Sequence, residues 1–170
     1  EILQTIRLQQ LGLLEPHSWN LEAGYPDDMR SKDGTWCGFA ARARVLLINT
    51  TKLADGNDFP KTVDELADPK WKQNCAIARP LDGTTATHAA VIRELKGEQA
   101  ALEWFQAVAD NAVIYPTNQS VAIAVATGKI AWGVTDSDDA VTERDDGRPV
   151  EIVYPDQATD APGTLRIPNS

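Results

Sequence analysis

Two cysteines, two histidines and one methionine are all that this 170-residue sequence holds of the usual thiol, imidazole and thioether ligands. His17 and His88 lie far apart, and neither has a Cys or His neighbour at zinc-ligand spacing, which excludes a structural zinc site. Isolated histidines of this kind read as surface or structural residues. Cys37 and Cys75 form no Cys/His nucleophile pair by spacing, and no G-x-S-x-G elbow is present. Neither G-x-x-x-x-G-K-[ST] nor G-x-G-x-x-G occurs, so the sequence offers no nucleotide-phosphate loop. Basic residues are also scarce, with 16 Lys and Arg against 25 Asp and Glu and a net charge of −9. Nucleic acid and anionic membranes both call for a basic face and are excluded as partners. Long apolar runs are missing: the longest, Val121 to Ala126, falls far short of the roughly 20 residues of a membrane helix. The opening residues lack the pattern of a secretory leader.

What is present is ordinary globular material, with 42% hydrophobic and 24% charged residues, enough for a buried core. Glu1 is followed at once by Ile2, Leu3 and Ile6 in helical register, and the chain stops just after a strand-like run. It reads as an excerpt of a longer protein. Leu3, Ile6, Leu13 and Leu14 define one face of a first helix, Ile2 to Leu11, with Gly12 placed to end it. Glu15 to Gly34 reads as a long loop. Phe39 to Asn49 is a strand that alternates at first and is continuously apolar from Val45 to Ile48, as in a strand entering a buried sheet. Thr62 to Glu65 is a capping box that predicts a short helix. Further strands are expected at Cys75–Ala78, Val113–Tyr115, Ile130–Val134, Pro149–Tyr154 and Gly163–Ile167. Helices are expected at Thr85–Leu95 and at Glu98–Asn111 with Leu102, Phe105, Val108 and Ala109 inward. Two more should run from a cap at Asn118 through Ala126 and over Ser137–Arg144. Strands alternate with helices, which predicts an α/β fold with a mixed, mostly parallel sheet flanked by helices.

Three stretches can carry a ligand site. Thr84 and Thr85 open a helix after a strand, where free N–H groups and the helix dipole favour an anion; simple capping is the alternative. Asp136, Ser137, Asp138 and Asp139 follow an apolar strand at its C-terminal end, where ligands bind in open α/β sheets. Capping accounts for one or two of these acids and leaves another without a role. Arg42 and Arg44 alternate on one face of the long strand, where an arginine can clamp an anion or line a solvated edge.

Four segments in this order, GTWCGFAARARVLLINTTKL, ELADPKWKQNCAIARP, GTTATHAA and VATGKIAWGVTDSDDA, together resemble the ferric-iron-type solute-binding proteins of bacterial ABC importers. The resemblance implies one lobe of a type II periplasmic binding fold and a periplasmic or extracellular location. It implies residues 1–39 as a remnant of the first lobe, 40–44 as a hinge strand, 45–160 as the second α/β lobe and 161–170 as the return hinge strand. The family's anion seat falls on Thr84 and Thr85, and its hinge arginine on Arg42. Where the iron binders carry two consecutive tyrosines, this sequence has Asp138 and Asp139, which are the metal ligands if the solute is a metal. The implied ligand set is therefore Arg42, Thr84, Thr85, Asp136, Ser137, Asp138 and Asp139. The implied solute is ferric iron or a small solute bearing a phosphate, phosphonate or ammonium group. The implied partners are the importer's membrane subunits, and no catalytic activity is expected.

An enzyme reading competes. In DSDDA, Asp136 and Asp138 match the D-x-D of haloacid-dehalogenase-like phosphatases, as nucleophile and general acid with Mg2+ between them. Ala140 and the short remaining chain depart from that pattern. Two further expectations concern assembly. An exported chain permits a Cys37–Cys75 disulfide, and the apolar side chains of the first helix are expected to find cover in a homodimer.

Overall fold

The computed structural model describes residues 2–155 and the backbone of residues 166–169. It divides into two compact units, Glu1–Arg42 with Arg166–Ser170, and Ala43–Leu165.

In the first unit, helix α1 spans Ile2–Gln10. Gly12 ends it with φ +67°, a conformation that favours glycine. The Gly12 N–H donates to the Gln9 carbonyl at 2.9 Å and the Leu13 N–H to the Leu8 carbonyl at 3.0 Å, the paired closure expected of a glycine stop. The apolar face is only partly covered: Ile2 is buried, Ile6 and Leu14 are half-buried, and Leu3, Leu8, Leu11 and Leu13 are exposed. The stretch read as a plain loop is held by polar contacts. Trp36 Nε1 donates to Gln9 Oε1 at 2.9 Å, and Gln9 Nε2 donates to both oxygens of Asp33 at 3.0 and 2.9 Å. Gln9 and then Thr35 hold the Asp33 carboxyl well below its ordinary range by donating to it. A last strand, β6 (Arg166–Asn169), pairs with β1 (Ala40–Asn49). The beginning of the strand expected at Gly163–Ile167 lies outside the described residues.

The second unit is built on β1, β2 (Cys75–Ala78), β3 (Val113–Tyr115), β4 (Trp132–Asp136) and β5 (Val150–Val153), in the spatial order β3-β2-β4-β1-β5. β2 runs parallel to β3 and β4, and β1 runs antiparallel to β4 and β5. Four of these strands therefore share one direction and β1 alone opposes them, so the sheet is mixed and mostly parallel. The helices are α2 (Gly83–Lys96), α3 (Glu98–Asn111), α4 (Asn118–Ala126) and α5 (Ser137–Asp145). Each of α2, α4 and α5 begins just after the C-terminal end of β2, β3 and β4 respectively, so three helix starts gather at one end of the sheet.

The alternation of β1 divides the core. Leu46 and Ile48 join Trp71, Trp104, Trp132, Ile77 and Leu66 on one face, while Val45 and Leu47 join Ala76, Val121, Val125 and Ala140 on the other. This is the period of two expected of a strand buried on both sides. Cys75 is buried with its Sγ 3.7 Å from the Leu66 carbonyl oxygen, and burial pushes its thiol up to about 12. Cys37 and Cys75 are both free thiols, so the disulfide is not formed.

Three local expectations need correction. Residues Val63–Ala67 wind as a 3-10 helix, and Thr62 makes no side-chain cap; Glu65 instead accepts from the Lys61 N–H at 2.7 Å. Pro69 follows too closely for an α-helix to establish its i to i+4 ladder. Helix α3 turns Ala101, Trp104 and Val108 inward with Phe105 half-buried, while Leu102, 63% exposed, and Ala109 face outward. The larger Trp104 ring sets the rotation, because it has the most apolar area to remove from water. Helix α4 is capped by Thr117, whose side chain accepts from the Ser120 N–H, which releases Asn118 for another task.

Candidate functional site

Antiparallel pairing places Arg44 of β1 opposite Asp136, the last residue of β4. Arg44 Nη1 donates to Asp136 Oδ1 at 2.6 Å, and both side chains are only 2% exposed. A buried ion pair of this kind gains from further hydrogen bonds, and the carboxylate has them. Asp136 Oδ2 accepts from Thr84 Oγ1 at 2.6 Å and from Asn118 Nδ2 at 2.9 Å. Asn118 Oδ1 in turn accepts from Arg44 Nη1 at 2.9 Å and from Thr85 Oγ1 at 3.1 Å. Thr135 Oγ1 fixes the start of α4 by donating to the Asn118 carbonyl at 2.9 Å. Ser137 Oγ accepts from the Ala43 N–H at 3.1 Å, tying the start of α5 to β1. The helix starts of α2, α4 and α5 thus meet around one carboxylate and one guanidinium.

Charge in this cluster acts on its neighbours. Burial lowers the Arg44 pKa from its ordinary value, and the carboxylates of Asp136 and Asp139 oppose that loss. His88, buried on α2, is pushed down to about 3, first by burial and then by the Arg44 cation, with Asp136 acting in the opposite direction. His88 is therefore a neutral core residue, one of the two fates expected for an isolated histidine.

Asp136, Asp138 and Asp139 each offer a carboxylate oxygen, and these atoms lie within 4.8 Å of one another. Asp136 is buried, Asp139 half-buried and Asp138 exposed, so the group grades from the core to the surface. Asp136 makes no side-chain cap on α5. Hard oxygen donors at this spacing suit a hard cation.

Of the residues singled out in the sequence, Thr84, Thr85 and Asp136 are joined in one hydrogen-bonded group, with Ser137, Asp138 and Asp139 following directly on α5. Arg42 is half-buried and belongs to the first unit. The arginine that pairs with Asp136 is Arg44, two residues further along the same strand. Sequence reasoning left Asn118 out of the site, and it left Arg44, a candidate beside Arg42 on the strand, out of the implied ligand set. A signal existed for each: an arginine in the apolar part of a strand needs a buried counter-charge, and an asparagine that follows a threonine need not be the cap itself.

An α/β unit whose strand ends and helix starts converge on a polar cluster defines the class of a ligand-binding lobe of the type II periplasmic binding fold. The chain belongs to the bacterial extracellular solute-binding protein family, which it matches over residues 6–166. The family is extracellular, in agreement with the location expected from the sequence. The chain is 38% identical over 105 residues to the Fe(3+)-binding periplasmic protein of Serratia marcescens, covering 62% of this chain and 30% of that protein. It is 32% identical over 129 residues to Iron uptake protein A1 of Synechocystis, covering 72% and 35%. Iron-bound HitA from Pseudomonas aeruginosa superposes with a TM-score of 0.79 at 28% identity, over 88% of this chain and 49% of that one. The chain thus spans about a third of the length of these curated relatives. The phosphatase reading loses its ground: a carboxylate nucleophile needs an open face, whereas Asp136 is buried beneath three donors.

Proposed function

We propose that the chain forms the second lobe of a solute-binding protein that holds a small cation, ferric iron first among the candidates, for an ABC importer's membrane subunits. On this reading residues 1–39 are the tail of the first lobe, 40–44 and 161–170 the hinge strands, and 45–160 the second lobe. The observation that carries the reading is the pair Asp138 and Asp139 on the first turn of α5, grouped with the buried carboxylate of Asp136 at the end of β4. The net charge of −9 favours a cation in the same sense, and iron is what the relatives from Serratia and Synechocystis are named for. Asp138 and Asp139 supply oxygen ligands here, while Asp136 stays bound to the protein. Carboxylates form hard anionic ligands for ferric iron but lack the affinity of phenolates, so weak binding is expected from a single lobe. A homodimer through the exposed leucines of α1 belongs to the same proposal, and light scattering at micromolar concentration reads it directly.

Equilibrium dialysis of the 170-residue chain against ferric nitrilotriacetate tests the function. The expected result is saturable uptake that the double substitution Asp138→Asn with Asp139→Asn reduces at least about tenfold. Equal uptake by the double variant overturns the reading.

A further inference from the structure

We infer that Asp136 is a built-in counter-anion: its carboxylate fills the oxyanion seat formed by Thr84, Asn118 and Arg44, and thereby excludes phosphate-bearing solutes from the site. The inference deepens the cation reading above and rests on it for the identity of the solute. A hydroxyl and an amide at two helix starts, joined by a guanidinium, make a donor set suited to an oxyanion. In this chain the donor set is already occupied. One oxygen of Asp136 takes Arg44 Nη1 at 2.6 Å, and the other takes Thr84 Oγ1 at 2.6 Å and Asn118 Nδ2 at 2.9 Å. The carboxylate sits on a strand residue whose register against Arg44 is set by backbone pairing, and it is 2% exposed. It cannot swing aside as a surface acid does.

The donors also outnumber the acceptors. Among the described residues, Arg44 Nε and Nη2 are buried without a hydrogen-bond partner. A guanidinium left in this condition is a standing demand for negative charge, which Asp136 meets by direct contact and Asp139 by its charge. Bringing a phosphate against the same donors sets two anions in contact at low dielectric, a repulsion that weakens phosphate binding by at least about a hundredfold. Removing the charge at Asp136 while keeping its shape reverses the sign. Asp136→Asn takes away the charge paired directly with Arg44 beside Thr84 and Asn118, and the seat becomes receptive to an external oxyanion.

The test is calorimetric titration of the 170-residue chain with inorganic phosphate, repeated on Asp136→Asn after amide exchange has shown that the variant is folded. The wild type is expected to take no phosphate into the millimolar range, and the variant to bind it at least about a hundredfold more tightly. Micromolar phosphate binding by the wild type overturns the inference, as does a folded variant that gains nothing. The wild type also decides the question if the variant does not fold. Amide shifts of Thr84 and Thr85 that stay still under phosphate support the inference, and shifts that saturate below millimolar phosphate overturn it. A separate titration with terbium chloride, read by luminescence, reports on the cation reading. Failure there removes the proposed solute and leaves the phosphate results to judge Asp136.

Discussion

The two faces of the second unit's sheet are packed in opposite styles. On the side of α2 and α3, Trp71, Trp104 and Trp132 fill the core, with Trp71 and Trp132 edge to face at 5.8 Å between ring centroids. On the side of α4 and α5 there is no tryptophan in the cluster; alanines and valines dominate. A Cβ placed on Gly133 would meet Val121 Cγ1 at 2.5 Å and the Ala76 carbonyl oxygen at 3.1 Å. The thin face lets α4 lie directly on β4, and that close approach brings Asn118 within reach of Asp136. The thick face holds the large rings, and the thin face holds the close approach that brings Asn118 to the polar cluster.

The contrast can be broken by substitutions on each side. Trp132→Ala should have the largest effect, about 3–5 kcal/mol in urea denaturation, because a fully buried ring leaves a cavity that its neighbours fill only in part. Arg44→Met follows at about 3 kcal/mol, since it strands a buried carboxylate; the added Asp136→Leu should recover much of that loss, which a packing role for Arg44 alone would not allow. Gly133→Ala is expected to cost about 2 kcal/mol by overpacking the thin face. A neutral outcome would show that α4 can shift and that the close approach is not required.

Acid sharpens the same comparison. His88 lies on the thick face with its pKa pushed down to about 3 in the folded chain, against an ordinary value of 6.5. The unfolded chain therefore binds the extra proton between these values. The contribution is full above pH 6.5 and declines as the pH falls, by about 2 kcal/mol at pH 5. Denaturation midpoints of the wild type and His88→Leu, compared at pH 7.5 and pH 5, isolate this effect; equal slopes would count against it. The smallest effect is expected at the end of α4, where Thr117→Ala removes a cap worth about 1 kcal/mol.

Much of the second unit could be read directly because its signals are local. The apolar run Val45–Ile48, the split at Gly97 and the apolar stretch that leads into Asp136 all depend on neighbours within a few residues, although β4 lies two residues later than the expected Ile130–Val134. The pairing of Arg44 with Asp136 depends on the antiparallel register of strands 92 residues apart, and no local pattern carries that information. Arg42 and Arg44 share one face by alternation, so strand periodicity could not choose between them. Asn118 was masked by its own chemistry, since asparagine is a good cap and Thr117 is equally able to serve. Leu102 and Trp104 illustrate a tie between two possible helix rotations, which the sheet and the other helix decide.

The buried thiol of Cys75 gives the molecule an internal clock. Burial pushes its pKa up to about 12, so at pH 8 the reactive thiolate is scarce even before access is considered. An alkylating reagent can reach it only when the sheet beneath α3 opens. Cys37, half-buried in the first unit, is the fast reference in the same chain. The ratio of the two alkylation rates then times the opening of the second unit without an introduced label, and a bound solute that steadies this unit should slow the Cys75 hand alone.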